Sequence, residues 1–213
     1  MLLFLFLLFP LSLLLFCVYR REKRFVPVIF IGAFTAVLIC FFRILFTYAH
    51  RLVPYSFSEN LIYSLTNFSV VPVVLLYGIY FLLTKDSIEF KVAAVFPLLM
   101  SFYMIYLPYK IVSASEYFYT GYSLFLRPAI YLAMVMQLSF SAEELFTKLK
   151  EKNVPFAIIQ GLIIILYLFV PAVCDSLYAI AADFWIVILI SVLFAAYPLF
   201  NLARSVIKDF KKK

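Results

Sequence analysis

"FVPVIFIGAFTAVLICFFRILFTY", residues 25–48, is the stretch that decides the fold of this chain. A single charged residue, Arg43, interrupts a run that is otherwise apolar or weakly polar. About 20 apolar residues are enough for a helix to cross the hydrocarbon core of a bilayer. Backbone N–H and C=O groups find no water in that core, so they must bond within a helix. The stretch therefore predicts a membrane-spanning α-helix.

The rest of the 213-residue chain has the same character. It is 67% hydrophobic and 14% charged, and its mean hydropathy is +1.08. Soluble domains have about 45–50% apolar and about 25% charged residues, and a chain of this size cannot hide so much apolar surface from water. The composition predicts an all-α, polytopic helical bundle that forms a single transmembrane domain over residues 1–213. A β-barrel would show short alternating segments instead.

Seven stretches are long and apolar enough to span a bilayer by the same rule. They are Met1–Tyr19, Phe25–Tyr48, Leu61–Leu83, Val92–Tyr109, Tyr122–Ala142, Val154–Val173 and Phe184–Ala203. The first differs from a cleaved signal peptide, because its basic residues follow the apolar run rather than precede it. We therefore expect it to be an uncleaved first span.

The basic residues predict the orientation of these spans. Fourteen of the eighteen Lys and Arg residues fall on one side of the predicted membrane. They lie in Arg20–Arg24, Lys85–Lys91, Glu143–Asn153 and the tail after Ala203. Cytoplasmic loops carry such an excess, so we expect a multi-pass protein of the plasma (inner) membrane with its N-terminus outside and its C-terminus cytoplasmic. This orientation explains the net charge of +7 without a nucleic-acid partner.

Prolines and a faint repeat mark the interior of the spans. Six spans carry a proline away from their first turn, where it can kink a helix and free a carbonyl. These are Pro10, Pro72, Pro97, Pro128, Pro171 and Pro198. "EKRFVPVIFIG", residues 22–32, is similar to "EKNVPFAIIQG", residues 151–161. The similarity predicts a weak repeat in which spans one to three correspond to spans five to seven, with the fourth as a linker.

Polar residues gather at the predicted outer side. The predicted ligand-binding residues are Arg43, Arg127, Asn67, Glu116, Asp175, Asp183, Tyr106 and Tyr122. Two guanidinium groups at one depth suit a carboxylate or a phosphate, so a small anionic solute is the expected ligand. Buried charges favour pairing, and we expect Arg43 to pair with Asp175 or Asp183. The alternative is an interfacial belt in which Arg43 extends to lipid headgroups.

The predicted cytoplasmic loop "FSAEELFTKLKEKN", residues 140–153, has a helical pattern of its own. Ser141 and Glu144 fit a capping box, and Leu145, Phe146 and Leu149 form one apolar edge. This pattern predicts a short amphipathic helix at the inner interface, and its apolar edge is a candidate docking surface for a cytoplasmic partner subunit. The alternative is a solvated extension of the fifth span.

Signals for catalysis, metals and cofactors are weak. The chain has one histidine and three cysteines, and the cysteines lack a C-x-x-C spacing, so neither a metal site nor a cofactor is expected. Known catalytic motifs do not occur. We therefore expect a small transport or solute-binding membrane component. The alternatives are a non-catalytic subunit packed within a larger membrane complex and a seven-helix sensory module.

Overall fold

The computed structural model describes residues 2–20, 22–46, 56–113, 120–180 and 182–210. Within these ranges the chain is helical and contains no strand. The helices are α1 (Leu2–Arg20), α2 (Phe25–Phe46), α3 (Phe57–Asn67), α4 (Val70–Leu83), α5 (Ile88–Ala93), α6 (Val95–Ser113), α7 (Arg127–Lys150), α8 (Val154–Ala179) and α9 (Phe184–Phe210), and a π-helical turn, Tyr122–Leu126, precedes α7. The all-helical prediction is confirmed.

In the described part of the chain, six helical stretches are long and apolar enough to cross a membrane. The prediction of a multi-pass membrane protein is thus supported at the level of six spans. The remaining apolar helix is α1, whose qualifying segment, Phe6–Arg20, is shorter than the others. The seventh span stays a prediction.

Two stretches form the centre of the bundle. In the most apolar 18 consecutive residues of Ile88–Val112 and of Tyr122–Lys150, 67% and 72% of the residues are buried, against 22–33% in the other four stretches. Helix α6 packs against α1, α2 and α7, and α7 packs against α8 and α9. The outer helices direct Phe, Leu and Ile side chains away from the protein, as lipid-facing helices do.

Helix α2 packs closely on α6 at Gly32. A Cβ atom at this position would overlap the carbonyl oxygen of Leu98 and the hydroxyl of Ser101. Gly78 and Gly161 face open space. Of these three positions, only position 32 therefore requires glycine for the close approach of two helices.

Three of the prolines predicted to kink a span lie just after an interruption of the regular α-helical hydrogen bonding. Pro72, Pro97 and Pro128 fall in the first turns of α4, α6 and α7. Proline is favoured in a first turn, because its missing N–H has no intrahelical partner there. The third, fourth and fifth predicted spans are consequently each built from two helical segments.

Two ends of the bundle can be distinguished by their ion pairs. We call the end that holds Arg20, Glu89 and Lys150 the Lys150 end. Arg20 binds Glu143 at 3.3 Å, and Lys150 binds Glu89. We call the opposite end, reached by the last turns of α2 and α8, the Asp175 end.

Candidate functional site

The site begins at the break between α3 and α4. Pro72 has no N–H, so the carbonyl of Phe68, four residues earlier, lacks its helical donor. The Tyr103 hydroxyl donates to that carbonyl at 2.7 Å, and the Tyr106 hydroxyl donates to the Asn67 carbonyl at 2.5 Å. Two tyrosines of α6 thus satisfy backbone groups that lipid could not.

A buried carboxylate, Asp175, lies beside this break. We call Asp175 and its four donors, Ser64, Tyr122, Arg127 and Tyr131, the Asp175 cluster. The Oδ2 atom accepts from the Ser64 hydroxyl at 2.7 Å, from Arg127 Nη2 at 2.8 Å and from the Tyr131 hydroxyl at 3.3 Å. The Oδ1 atom accepts from the Tyr122 hydroxyl at 2.8 Å. One aspartate therefore joins α3, α7 and α8.

The π-helical turn sets the positions of Tyr122 and Arg127. The Arg127 N–H bonds to the Tyr122 carbonyl, five residues earlier, and the next residue, Pro128, has no N–H to restore the ordinary α-helical spacing. Such turns occur often at functional sites. Here the turn brings Tyr122 and Arg127 onto the same carboxylate.

Arg127 is neutralised within the protein. Its side chain is 7% exposed and that of Asp175 is 9% exposed. The guanidinium carbon also lies 4.0 Å from the ring centroid of Phe68, while Nε has no hydrogen-bond partner in the described residues. With its charge balanced by Asp175, Arg127 is a poor candidate for direct contact with an anionic solute.

Two further cations, Arg43 and Lys110, lie against aromatic rings next to this cluster. We call these two residues with Tyr63, Phe68 and Tyr106 the cationic shelf. The guanidinium carbon of Arg43 is 5.7 Å from the ring centroid of Tyr106. Lys110 Nζ is 5.0 Å from the centroid of Phe68 and 5.6 Å from that of Tyr63. Both cations are half-buried, and neither forms an ion pair with a described carboxylate.

The predicted pairing of Arg43 with Asp175 or Asp183 is wrong. Asp175, on α8, pairs instead with Arg127, on α7, because these two helices pack against each other. Asp183 is exposed, and its carboxylate accepts from the Trp185 N–H at 3.1 Å, which caps the start of α9.

The other predicted ligand residues divide into two groups. Arg127, Asp175 and Tyr122 meet in the Asp175 cluster, and Asn67, Tyr106 and Arg43 lie at the neighbouring break and shelf. Glu116 falls outside the described residues. Whether any of them binds a ligand remains a prediction.

Sequence reasoning missed Tyr131 and Lys110 as members of the site. Tyr131 lies four residues after Arg127, and Lys110 lies four residues after Tyr106. Residues with this spacing share a helix face, so each follows a residue that was predicted. The signal was therefore present in the spacing.

The Lys150 end differs from its prediction. Helix α7 runs without interruption to Lys150, and Ser141 is buried within it and accepts from the Gln137 side chain at 2.8 Å. The predicted capping box and separate helix are therefore wrong, because the fifth span simply continues. Leu145 and Phe146 are half-buried, and Leu149 is 55% exposed.

A cavity of about 350 Å³ opens beside Phe146 at this end, and Arg20, Glu89, Glu143 and Lys150 contribute to its walls. These four charges already pair with one another. Among the described residues, no group of three or more His, Cys, Asp or Glu side chains is placed to hold a metal ion.

No family model matches the chain, and neither a curated protein nor a solved structure is significantly similar to it.

Proposed function

We propose that this chain is a seven-helix integral membrane protein of the plasma membrane that serves as a transport or solute-binding component. In this proposal the N-terminus is outside, the tail is cytoplasmic, and a small anionic solute binds at the cationic shelf near the outer face. The observation that carries the proposal is the pair of half-buried cations, Arg43 and Lys110, without a carboxylate partner in the described structure.

The charge balance of the region favours an anion. Lys110 is close enough to Arg43 and Arg127 for electrostatic repulsion. Among the described residues, Asp175 is the carboxylate that pairs with a cation of this group, and its partner is Arg127. Aromatic faces attract cations, but they do not cancel the repulsion between them. A carboxylate or phosphate bridging Arg43 and Lys110 would do so, and a guanidinium binds either anion through two hydrogen bonds.

The broken helix is consistent with this proposal. Transporter folds commonly place a discontinuous helix at the binding site. Here the break at Phe68 is held by hydrogen bonds from Tyr103 and Tyr106. Tyr106 also faces Arg43, and Phe68 faces Lys110. The rings of Tyr106 and Phe68 therefore connect the backbone break with the two cations.

A thermal-shift screen tests the proposed function. The purified chain is heated with small carboxylates and phosphates and with uncharged and cationic solutes of the same size. We expect one or more of the anions to raise the unfolding temperature, and the variant Arg43→Gln/Lys110→Gln to lose the effect. The double variant Arg20→Gln/Arg24→Gln removes two charges at the other end and should keep the effect. Equal stabilisation by uncharged or cationic solutes, or an unchanged response of the shelf variant, would contradict the proposal.

The seventh span and the orientation have their own support and test. Helix α1 has 19 residues and is therefore about 28 Å long at 1.5 Å per residue, which is close to the thickness of the hydrocarbon core of a bilayer. In a chain freed of its native cysteines, Asp183→Cys should react with an impermeant thiol reagent on intact cells and Lys150→Cys only after permeabilisation. An N-terminal epitope should be accessible on intact cells. A cytoplasmic epitope would leave six spans, and the reverse labelling pattern would overturn the orientation.

A second candidate, a membrane subunit that docks a cytoplasmic partner, is favoured by Leu149. Its side chain is 55% exposed and lies one residue before the end of α7. Leu149→Ser should release a co-purifying subunit, whereas Lys148→Ser, at the neighbouring position, should not. Recovery of the same subunits from both variants would remove this candidate.

A further inference from the structure

A cavity of about 210 Å³ lies between α2, α4 and the segment that leads into α5. Its polar lining comes from Arg24, Tyr80, Thr84 and Asp86. Arg24 and Asp86 are exposed, whereas Tyr80 is fully buried. The cavity therefore runs from the protein surface to the core. It is independent of the cationic shelf, because it lies at the Lys150 end.

The Tyr80 hydroxyl has an unfilled hydrogen-bonding capacity. The Thr84 and Asp86 side chains lie close to it and interact with it, but among the described residues neither is placed with the distance and angle of a full hydrogen bond. Leaving a buried hydroxyl without a partner is costly, and such groups are rare in folded proteins. Because Tyr80 lines the cavity, a ligand there can supply the missing bond.

The cavity is placed where a lipid headgroup would lie. Helix α2 begins at Phe25 and α4 ends at Leu83, so the cavity is at the ends of two apolar spans, where the hydrocarbon core gives way to headgroups. Its apolar lining includes Val28 and Ile31 of α2. Further along α2, Phe30 and Phe34 are exposed and offer a surface for acyl chains.

The charges at the mouth point to a zwitterionic headgroup. Arg24 and Asp86 do not pair with each other, and the ion pair that Arg24 does form, to Glu22, is at 4.0 Å with 78% of the arginine side chain exposed. A phosphate group suits Arg24, and a primary ammonium can donate hydrogen bonds both to Asp86 and to Tyr80. A quaternary ammonium has no N–H to donate. The volume is below that of a typical drug-sized pocket, as expected for a headgroup alone.

We propose that this cavity binds the headgroup of a phosphatidylethanolamine from the membrane leaflet at the Lys150 end. The phosphate binds Arg24, the ammonium group binds Asp86 and the Tyr80 hydroxyl, and the acyl chains lie along α2.

Native mass spectrometry of the detergent-purified chain tests the proposal, with phosphatidylethanolamine, phosphatidylcholine and phosphatidylglycerol of matched acyl chains. We expect the ethanolamine lipid to bind about tenfold more tightly than the choline lipid, the effect of one charge-assisted hydrogen bond. Asp86→Asn and Tyr80→Phe should each reduce this preference. Lys85→Gln and Tyr77→Phe, at positions outside the cavity, should preserve it. Equal binding of the three lipids, or an unchanged preference in both cavity variants, would overturn the proposal.

Two further measurements complete the test. The first asks whether the Tyr80 hydroxyl is bonded within the protein, and the second asks whether the ligand is a lipid or a soluble molecule. Without added lipid, Tyr80→Phe should be at least as stable to heat as the parent chain, because the replacement removes an unpaired buried hydroxyl. A clear loss of stability would show that the hydroxyl is bonded within the protein and would contradict the proposal. Soluble phosphoethanolamine should compete with the lipid only at much higher concentration. If it binds as tightly as the lipid, the site serves a soluble ligand and the lipid assignment fails.

Discussion

Removal of Arg127 tests whether the Asp175 cluster holds the bundle together. In Arg127→Leu the Asp175 carboxylate stays buried without a cation. Breaking a buried ion pair in this way costs about 3–5 kcal/mol. Ser64, Tyr122 and Tyr131 still donate to the carboxylate, so we expect a cost near the lower limit, about 3 kcal/mol.

The reverse change should cost more. In Asp175→Leu the Arg127 guanidinium loses its bonded partner and keeps only the ring of Phe68, 4.0 Å away. A desolvated cation–ring contact is worth about 2 kcal/mol, less than the lost ion pair, so we expect a cost near the upper limit, about 5 kcal/mol. The double variant removes both charges and should cost well below the sum of the single variants, because neither charge is stranded.

The assay is the free energy of unfolding in mixed detergent micelles. The control is Arg20→Leu, which breaks the exposed pair with Glu143 and should cost less than about 1 kcal/mol. Additive single costs, or an Arg127→Leu variant no less stable than Arg20→Leu, would refute the reasoning.

Two further predictions concern packing and the broken helix. Gly32→Ala should destabilise the protein by about 1–3 kcal/mol through overlap with α6, whereas Gly161→Ala, which faces open space, should be neutral or stabilising by up to about 1 kcal/mol; the same unfolding assay measures both, and equal effects would contradict the packing at Gly32. Tyr103→Phe should cost about 1–3 kcal/mol, because the carbonyl of Phe68 loses its donor. Tyr197→Phe, at a 42% exposed position, should cost little in that assay, and a Tyr103→Phe variant as stable as this control would show that the carbonyl finds another partner.

Helix positions were largely predictable from the sequence. The second span was predicted to begin at Phe25 and the sixth at Val154, and both helices begin there. In each case a basic loop is followed by Val-Pro at the helix start, a pattern with a local physical cause. Local signals of this kind do not depend on tertiary contacts.

The breaks within spans were not predicted, because hydropathy averaged over about 20 residues does not resolve an interruption of a few residues. Only two residues, Phe68 and Ser69, separate α3 from α4. Pro72 was interpreted as a kink, and the tyrosines that stabilise a complete break come from α6, more than 30 residues away.

The pairing within the candidate site could not be read from the sequence either. Arg43 and Arg127 were both predicted near Asp175, and their residue types do not distinguish them. The choice follows from the packing of α7 against α8, which places Arg127 at 2.8 Å from the carboxylate. The sequence analysis therefore assigned the wrong cation to Asp175.

The most direct test of the anion site observes Lys110 itself. The lysines of the purified chain are dimethylated with ¹³C, and Lys110→Arg identifies the Lys110 resonance. Titration with the anion selected by the thermal screen should shift this resonance to saturation, and Arg43→Gln should weaken the affinity about tenfold or more through loss of a charge-assisted contact. A Lys110 resonance that stays in place at saturating anion, or that shifts equally with and without Arg43, would contradict the proposal that the cationic shelf binds the solute.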